Sequence, residues 1–230
     1  MRKWTIPTIA FGLALGLGGC SHANKGAPSI NEEWLARVPP AQMQPVNQAR
    51  QAQQQAENQQ NRAQAAVTDA KNSLDVAKAE QDTASSRIDA AQARVDKAKD
   101  TGDANLLQQA NADLEHAQAA KDAADARVNY AEAQVTAAES QSDFAKAQVD
   151  ERKSEVQLAE YDALSSNGDT RVKDMNRAEF QAQVSRDRAK VSEMQTKYQE
   201  DQQKVATARQ KWNEAKSHLQ ASQPSTSPTG

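Results

Sequence analysis

The chain has a single cysteine, Cys20, among its 230 residues, which excludes an intrachain disulfide. Aromatic residues make up only 4% and hydrophobic residues 37%, many of them alanine. Each buried CH₂ contributes only about 0.8 kcal/mol, so alanine methyls alone do not sustain a thick globular core. Proline is absent between Pro45 and Pro224, and between Gly26 and Gly230 the only glycines are Gly102 and Gly168. That scarcity argues against a turn-rich β fold and leaves room for very long helices. Neither charge sign dominates. The 28 basic and 31 acidic residues give a formal net charge of −3 and are mixed along the chain. No basic block stands out, so a nucleic-acid partner has no support.

What is present is a sustained seven-residue repeat. In the first segment one set of positions holds Gln53, Gln60, Val67, Leu74, Gln81, Ile88 and Val95. The set four residues earlier holds Ala49, Ala56, Ala63, Ala70, Ala77, Ala84 and Ala91, and Ala98 continues it. The second segment repeats the arrangement with Leu107, Leu114, Lys121, Val128, Val135, Ser142, Val149 and Val156. Its companion set is Ala110, Ala117, Ala124, Ala131, Ala138, Ala145, Arg152 and Ala159. A heptad held this long specifies a coiled coil, and alanine, the best helix former, makes its seam thin. The register breaks between Val95 and Leu107, whose separation is not a multiple of seven. A continuous rod would rotate its seam there, whereas a hairpin absorbs the shift. Lys97 and Lys99 suit a helix C-terminus, Gly102 a left-handed cap and Asp103 the next N-cap. The expected fold is therefore all-α: a long antiparallel coiled-coil hairpin, helix 47–100 and helix 104–164, plus a third long helix, 176–221, in an extended three-helix arrangement.

The third helix is expected after the joint at 165–169. Asn176 and Glu179 have capping-box spacing, and Met175 and Phe180 have staple spacing. Its seam runs through Phe180, Val184, Val191, Met194, Tyr198, Val205, Ala208, Trp212, Ala215 and Leu219. The middle helix has a second stripe nearly opposite the first, including His116, Ala119, Tyr130, Ala137, Phe144, Leu158 and Tyr161. At 100° per residue this leaves it apolar on two sides, with the first and third helices as partners. The Pro-Ser-Thr-rich tail, 222–230, reads as disordered.

The strongest motif lies at the N-terminus. Arg2 and Lys3 precede an apolar stretch from Ile6 to Gly19, too short for a comfortable membrane span of about 20 residues but suited to a secretory signal. It ends in Leu17-Gly18-Gly19-Cys20, which resembles the lipobox of bacterial lipoproteins. Leu17 and Gly19 match that pattern, and Gly18 departs mildly from it. The resemblance implies a signal peptide at 1–19, cleavage before Cys20 and lipidation of Cys20 by a diacylglyceryl thioether, often with further acylation (palmitate among the chains). It covers only the first 20 residues, yet the lone cysteine falls at the cleavage point. Ser21, where an aspartate commonly retains such proteins at the inner membrane, implies the outer membrane, with the protein facing the periplasm. Residues 20–46 read as a lipidated tether containing Pro28, Pro39, Pro40 and Pro45. Within it a short helix is expected from Asn31, stapled by Ile30 and Leu35. Trp34 suits either the membrane interface or simple packing.

No catalytic constellation is found. His22, His116 and His218 lie far apart without i, i+4 partners, so no metal or cofactor site is expected. There is no phosphate loop and no nucleophile elbow. Lys121 and Arg152, inside the main seam, read as register devices or snorkelling side chains. The expectation is a non-enzymatic lipoprotein of structural or scaffolding type. Its partners are the membrane, through the lipid, and a protein or cell-wall component of the envelope; a homo-oligomer is compatible with the pattern. Its organisation is similar to that of the small alanine-rich outer-membrane lipoprotein that links membrane to cell wall. That protein ends in a lysine, whereas this chain ends Pro228-Thr229-Gly230, so covalent attachment is not carried over. The alternative class is a stress-protective, largely disordered polypeptide resembling late-embryogenesis-abundant proteins.

Overall fold

In the computed structural model, residues 29–223 are described, and they form three long helices. Helix α1 spans Gln44–Thr101, α2 Ala104–Ser166 and α3 Arg177–Ala221. α2 packs against α1 on one side and α3 on the other, and the backbones of α1 and α3 do not approach each other. The molecule is thus a flat, rod-like layer with α2 in the middle. The two expected stripes account for this. Ala110, Ala117, Val128, Ala131, Ala138, Ala145, Val149 and Val156 are buried toward α1, whereas Ala119, Ala123, Ala137, Ser140 and Ala147, on the second stripe, are also buried. α1 at 1.5 Å per residue is about 87 Å long, which sets the length of the rod.

The hairpin turn has the expected chemistry. Gly102 adopts φ 69° and donates its N–H to Lys99 O at 3.2 Å. Asp103 caps α2 by accepting from the N–H groups of Asn105 and Leu106 at 2.9 and 3.1 Å. The second joint is a full Schellman closure. Asp169 N–H reaches Leu164 O at 3.0 Å and Gly168 N–H reaches Ser165 O at 3.1 Å, with Gly168 at φ 69°. Asn176 caps α3 by accepting from Ala178 N–H at 2.9 Å.

Facing side chains fix the antiparallel order along the whole rod. Between α1 and α2 these include Arg94 with Asp113 near the turn, Gln81 with Asp125 further down, Lys71 with Glu139, and Arg50 with Glu160 at the far end. Leu74 packs beside Ala77, Val128 and Ala131. Between α2 and α3, Tyr130 stacks on Trp212 with ring centroids 5.3 Å apart, Phe144 on Tyr198 at 6.4 Å, and Tyr161 meets Phe180 at 5.1 Å.

Two boundaries differ from the sequence-based expectation. α1 begins at Gln44 rather than 47, because Pro45 sits in the first turn, where no backbone N–H is needed. The tether expected over 20–46 does not run free to its end. Residues 20–28 lie outside the described residues, as do the signal peptide and Cys20 itself, but Ile30, Leu35, Val38 and Val46 are buried. The prolines there prevent long helix without preventing packing. Of the tail, Ser222 closes α3 with its Oγ on Leu219 O at 2.9 Å, and residues 224–230 lie outside the described residues.

Candidate functional site

The end of the rod opposite the hairpin turn is its most strongly built part, and it is also where the chain arrives from Cys20. The 3₁₀ turn Glu32–Arg37 is capped by Asn31, whose side chain accepts from Glu33 N–H at 3.0 Å. Ile30, Leu35 and Val38 join Val46 of α1, Ala163 and Leu164 of α2, Val172 and Phe180 in one core. Five parts of the chain therefore converge where a two-helix seam of alanines would have had little to offer. Trp34 packs against this core, and the Arg171 guanidinium sits 5.3 Å from its ring centroid. Packing, rather than a free interfacial position, is the placement the structure gives to Trp34.

A polar network ties the same segment down. Arg50 donates to Glu160 Oε1 at 2.7 Å and to Glu32 Oε1 at 3.2 Å. Gln157 donates to Glu160 Oε2 at 3.1 Å and accepts the Ile30 backbone N–H. Glu160 is 1% exposed. Burial pushes its carboxyl above the usual glutamate range, and Arg50 opposes that shift without cancelling it. Below the core, Asp162 takes a two-pronged hydrogen bond from Arg177 at 2.7 and 2.8 Å, joining the end of α2 to the start of α3. Asp169 is held at about 2 by the Arg171 side chain and backbone N–H. An open groove of about 780 Å³ runs beside this base, floored by Pro45, Leu158, Ala163 and Val184 and rimmed by Glu155, Asp162 and Arg188.

The residues singled out in the sequence are dispersed. His116 Nδ1 lies 3.2 Å from Ser222 Oγ, at the far end of α3, and His218 is in the last turn of that helix. Among the described residues no group of three or more His, Cys, Asp or Glu side chains gathers as a metal site. Lys121 pairs with Asp125, which also accepts from Gln81 Nε2 at 2.7 Å, forming a polar layer inside the α1–α2 seam. Burial raises the Asp125 carboxyl, but the hydrogen bonds from Lys121 and Gln81 outweigh it and hold the group below the ordinary aspartate range. Arg152 leaves its seam position to pair with Glu155. Besides Glu160, two buried acids were not singled out beforehand. Glu151 is 7% exposed and is bound by Arg188 at 3.1 Å; Asp201 is 3% exposed and is bound by Lys204 at 2.7 Å. Only their heptad phase could have marked them, since both fall on the α2–α3 stripe.

Comparison with protein-family models, with curated proteins and with solved structures returned no match to this chain.

Proposed function

We propose that the protein is a non-enzymatic lipoprotein, anchored through Cys20 to the outer membrane, which holds a rigid helical rod in the periplasm to contact another component of the envelope. The observation that carries this reading is the match of Leu17-Gly18-Gly19-Cys20 to a lipobox, with the chain's one cysteine at the modified position. Two or three acyl chains give stable anchoring where a single chain gives only marginal binding.

The architecture supports a spacer. Nine peptide steps separate Cys20 from Ser29, a reach of at most roughly 30 Å. The base of the rod would then stay close to the membrane surface while the Gly102 turn extends up to about 87 Å beyond it. No described helix is long and apolar enough to cross a membrane, so this reading places the attachment in the lipid. The partner contacted at the far end is a protein or a cell-wall polymer.

Replacing Cys20→Ala tests the anchor. The variant is expected to leave the membrane fraction and to accumulate at precursor length, whereas the wild-type chain takes up radiolabelled palmitate. Membrane association and mobility identical to wild type would refute lipidation at Cys20. Photo-crosslinkers at Leu106, which is 42% exposed beside the turn, test the spacer role: they should capture an envelope component that probes near Ser29 do not.

A further inference from the structure

α3 is held very differently along its length. Its first turns bury Phe180 at 1% and Val184 at 6% exposure in the base of the rod. From Val191 to Leu219 the apolar seam is half-buried throughout, because α2 is the only helix that covers it. The one fully buried member of that outer seam is not apolar. It is Asp201, at 3% exposure, placed between the Phe144–Tyr198 and Tyr130–Trp212 stacks. Its Oδ1 takes a hydrogen bond from Lys204 at 2.7 Å, while its buried Oδ2 has no hydrogen-bond partner of its own among the described residues. The neighbouring Ser140 hydroxyl has one proton, for which the carbonyls of Thr136 and Ala137, at 3.0 and 3.1 Å, compete with the carboxylate. A buried carboxylate oxygen left without a donor weakens the interface that contains it.

Charge adds to the attraction of the two stacks. α2 carries twelve acidic and five basic side chains, and α3 carries six acidic and nine basic. Beyond the Arg177–Asp162 pair at the base, the cross-helix pairs are Arg188 with Glu151 and Glu155, at 3.1 and 2.9 Å, and Lys197 with Asp143 at 3.7 Å. Their cations are 64% and 53% exposed, so salt screens them. By contrast, the α1–α2 seam keeps fully buried alanines and valines from Ala56 to Ala98.

We infer that α3 beyond Arg188 is an arm that opens from α2 as a unit. It hinges on the Phe180–Val184 core, is weakened at Asp201 and is held closed by the two aromatic stacks together with solvent-screened charge. Opening uncovers the second stripe of α2, with Tyr130 and Phe144 flanked by acidic side chains, while the α1–α2 hairpin stays intact. The inference does not depend on lipidation or on the spacer role.

Hydrogen–deuterium exchange of the full chain, resolved by peptide, tests it at low salt and at about 0.5 M salt. Peptides within 191–219 should exchange together and at least about tenfold faster than those of α1 within 56–95, and salt should widen the gap. Asp201→Leu should slow exchange in 191–219 by about tenfold or more and leave α1 unchanged. Arg188→Gln, which removes the pairs with Glu151 and Glu155, should instead speed exchange in 191–219 and decides the matter if the leucine variant loses helix content. The inference is overturned if 191–219 is as protected as α1, if salt has no effect, or if Asp201→Leu with its helix content intact accelerates exchange.

Discussion

Truncating Phe180 tests how the rod is held together at its base. Phe180 is 1% exposed, the largest fully buried side chain in the described structure, and touches Tyr161 at a centroid separation of 5.1 Å. Its core partners come from the segment before α1, from the start of α1, from the end of α2 and from the second joint. Because those elements are fixed independently, by the Arg50–Glu160–Gln157 network and by the Schellman closure, the site cannot collapse to fill the void. Phe180→Ala should therefore lie in the range of about 3–5 kcal/mol for a buried phenylalanine. For a chain of this size 1 kcal/mol shifts Tm by about 2–4 °C, so the melting temperature should fall by roughly 6–20 °C. The control is Phe144→Ala. That ring is half-buried and stacks on Tyr198 at the longer distance of 6.4 Å, so its removal should cost only about 1–2 kcal/mol. Thermal and urea melts followed by circular dichroism, with wild type alongside, measure both. Equal losses for the two variants, or a loss below about 1 kcal/mol for Phe180→Ala, would refute a base-centred core.

Three further outcomes are expected. Leu74→Cys with Val128→Cys should form a disulfide within a monomer, read as a mobility shift on non-reducing gels, because the two side chains pack together across the hairpin. A dimer-only crosslink would contradict the hairpin. Gly102→Ala should destabilise by about 1 kcal/mol in thermal melts: a β-carbon there meets nothing within 4 Å, so the cost is that of φ +69° alone. As for pH, Glu160 sits above its ordinary value because burial disfavours its charge, so the folded state gains relative stability as pH falls through that raised range. Asp125 and Asp201 sit below theirs; their stabilisation is complete above the unfolded aspartate value and is lost as pH falls further. Urea midpoints should thus rise slightly on acidification from neutrality and then drop below about pH 4, and Glu160→Gln should abolish the rise.

Most of the fold was legible because the repeat is local. Two heptad sets in each hairpin helix, two glycines and one Asx cap are enough to place the turn at Gly102, and the structure puts α1 and α2 on either side of it. The second stripe of α2 was legible for the same reason, and its aromatics meet Tyr198 and Trp212 on α3. The base was less legible. Ile30, Leu35 and Val38 sit in a short, proline-bounded stretch with no period to read, so nothing local says that they pack against Leu164 and Phe180, more than a hundred residues away. The Glu160 network was hidden likewise. In sequence Glu160 is one acid among many, and only the approach of Arg50 and Gln157 in three dimensions separates it from a solvated surface group.

That difference bears on what fixes the register of the rod. A seam of alanines repeating every seven residues looks nearly the same after a slip of one heptad, and each methyl moved loses little. Register must therefore come from side chains that do not repeat. Gln81, Lys121 and Asp125 make one such layer in the α1–α2 seam: a slip would set the buried part of Asp125 against alanine and strand its second donor. Arg50 and Glu160 make another, at greater cost, because a carboxylate at 1% exposure without its guanidinium would be a buried unpaired charge. The hydrophobic cluster around Phe180 fixes the third point, where α3 turns back. Between these points the helices need only stay close, which alanine allows. The combination accounts for a long rod with few large side chains that still has one alignment. It also concentrates that specificity at the base, where the chain arrives from the N-terminal side, and leaves the distal seam of α3 as the part most easily parted.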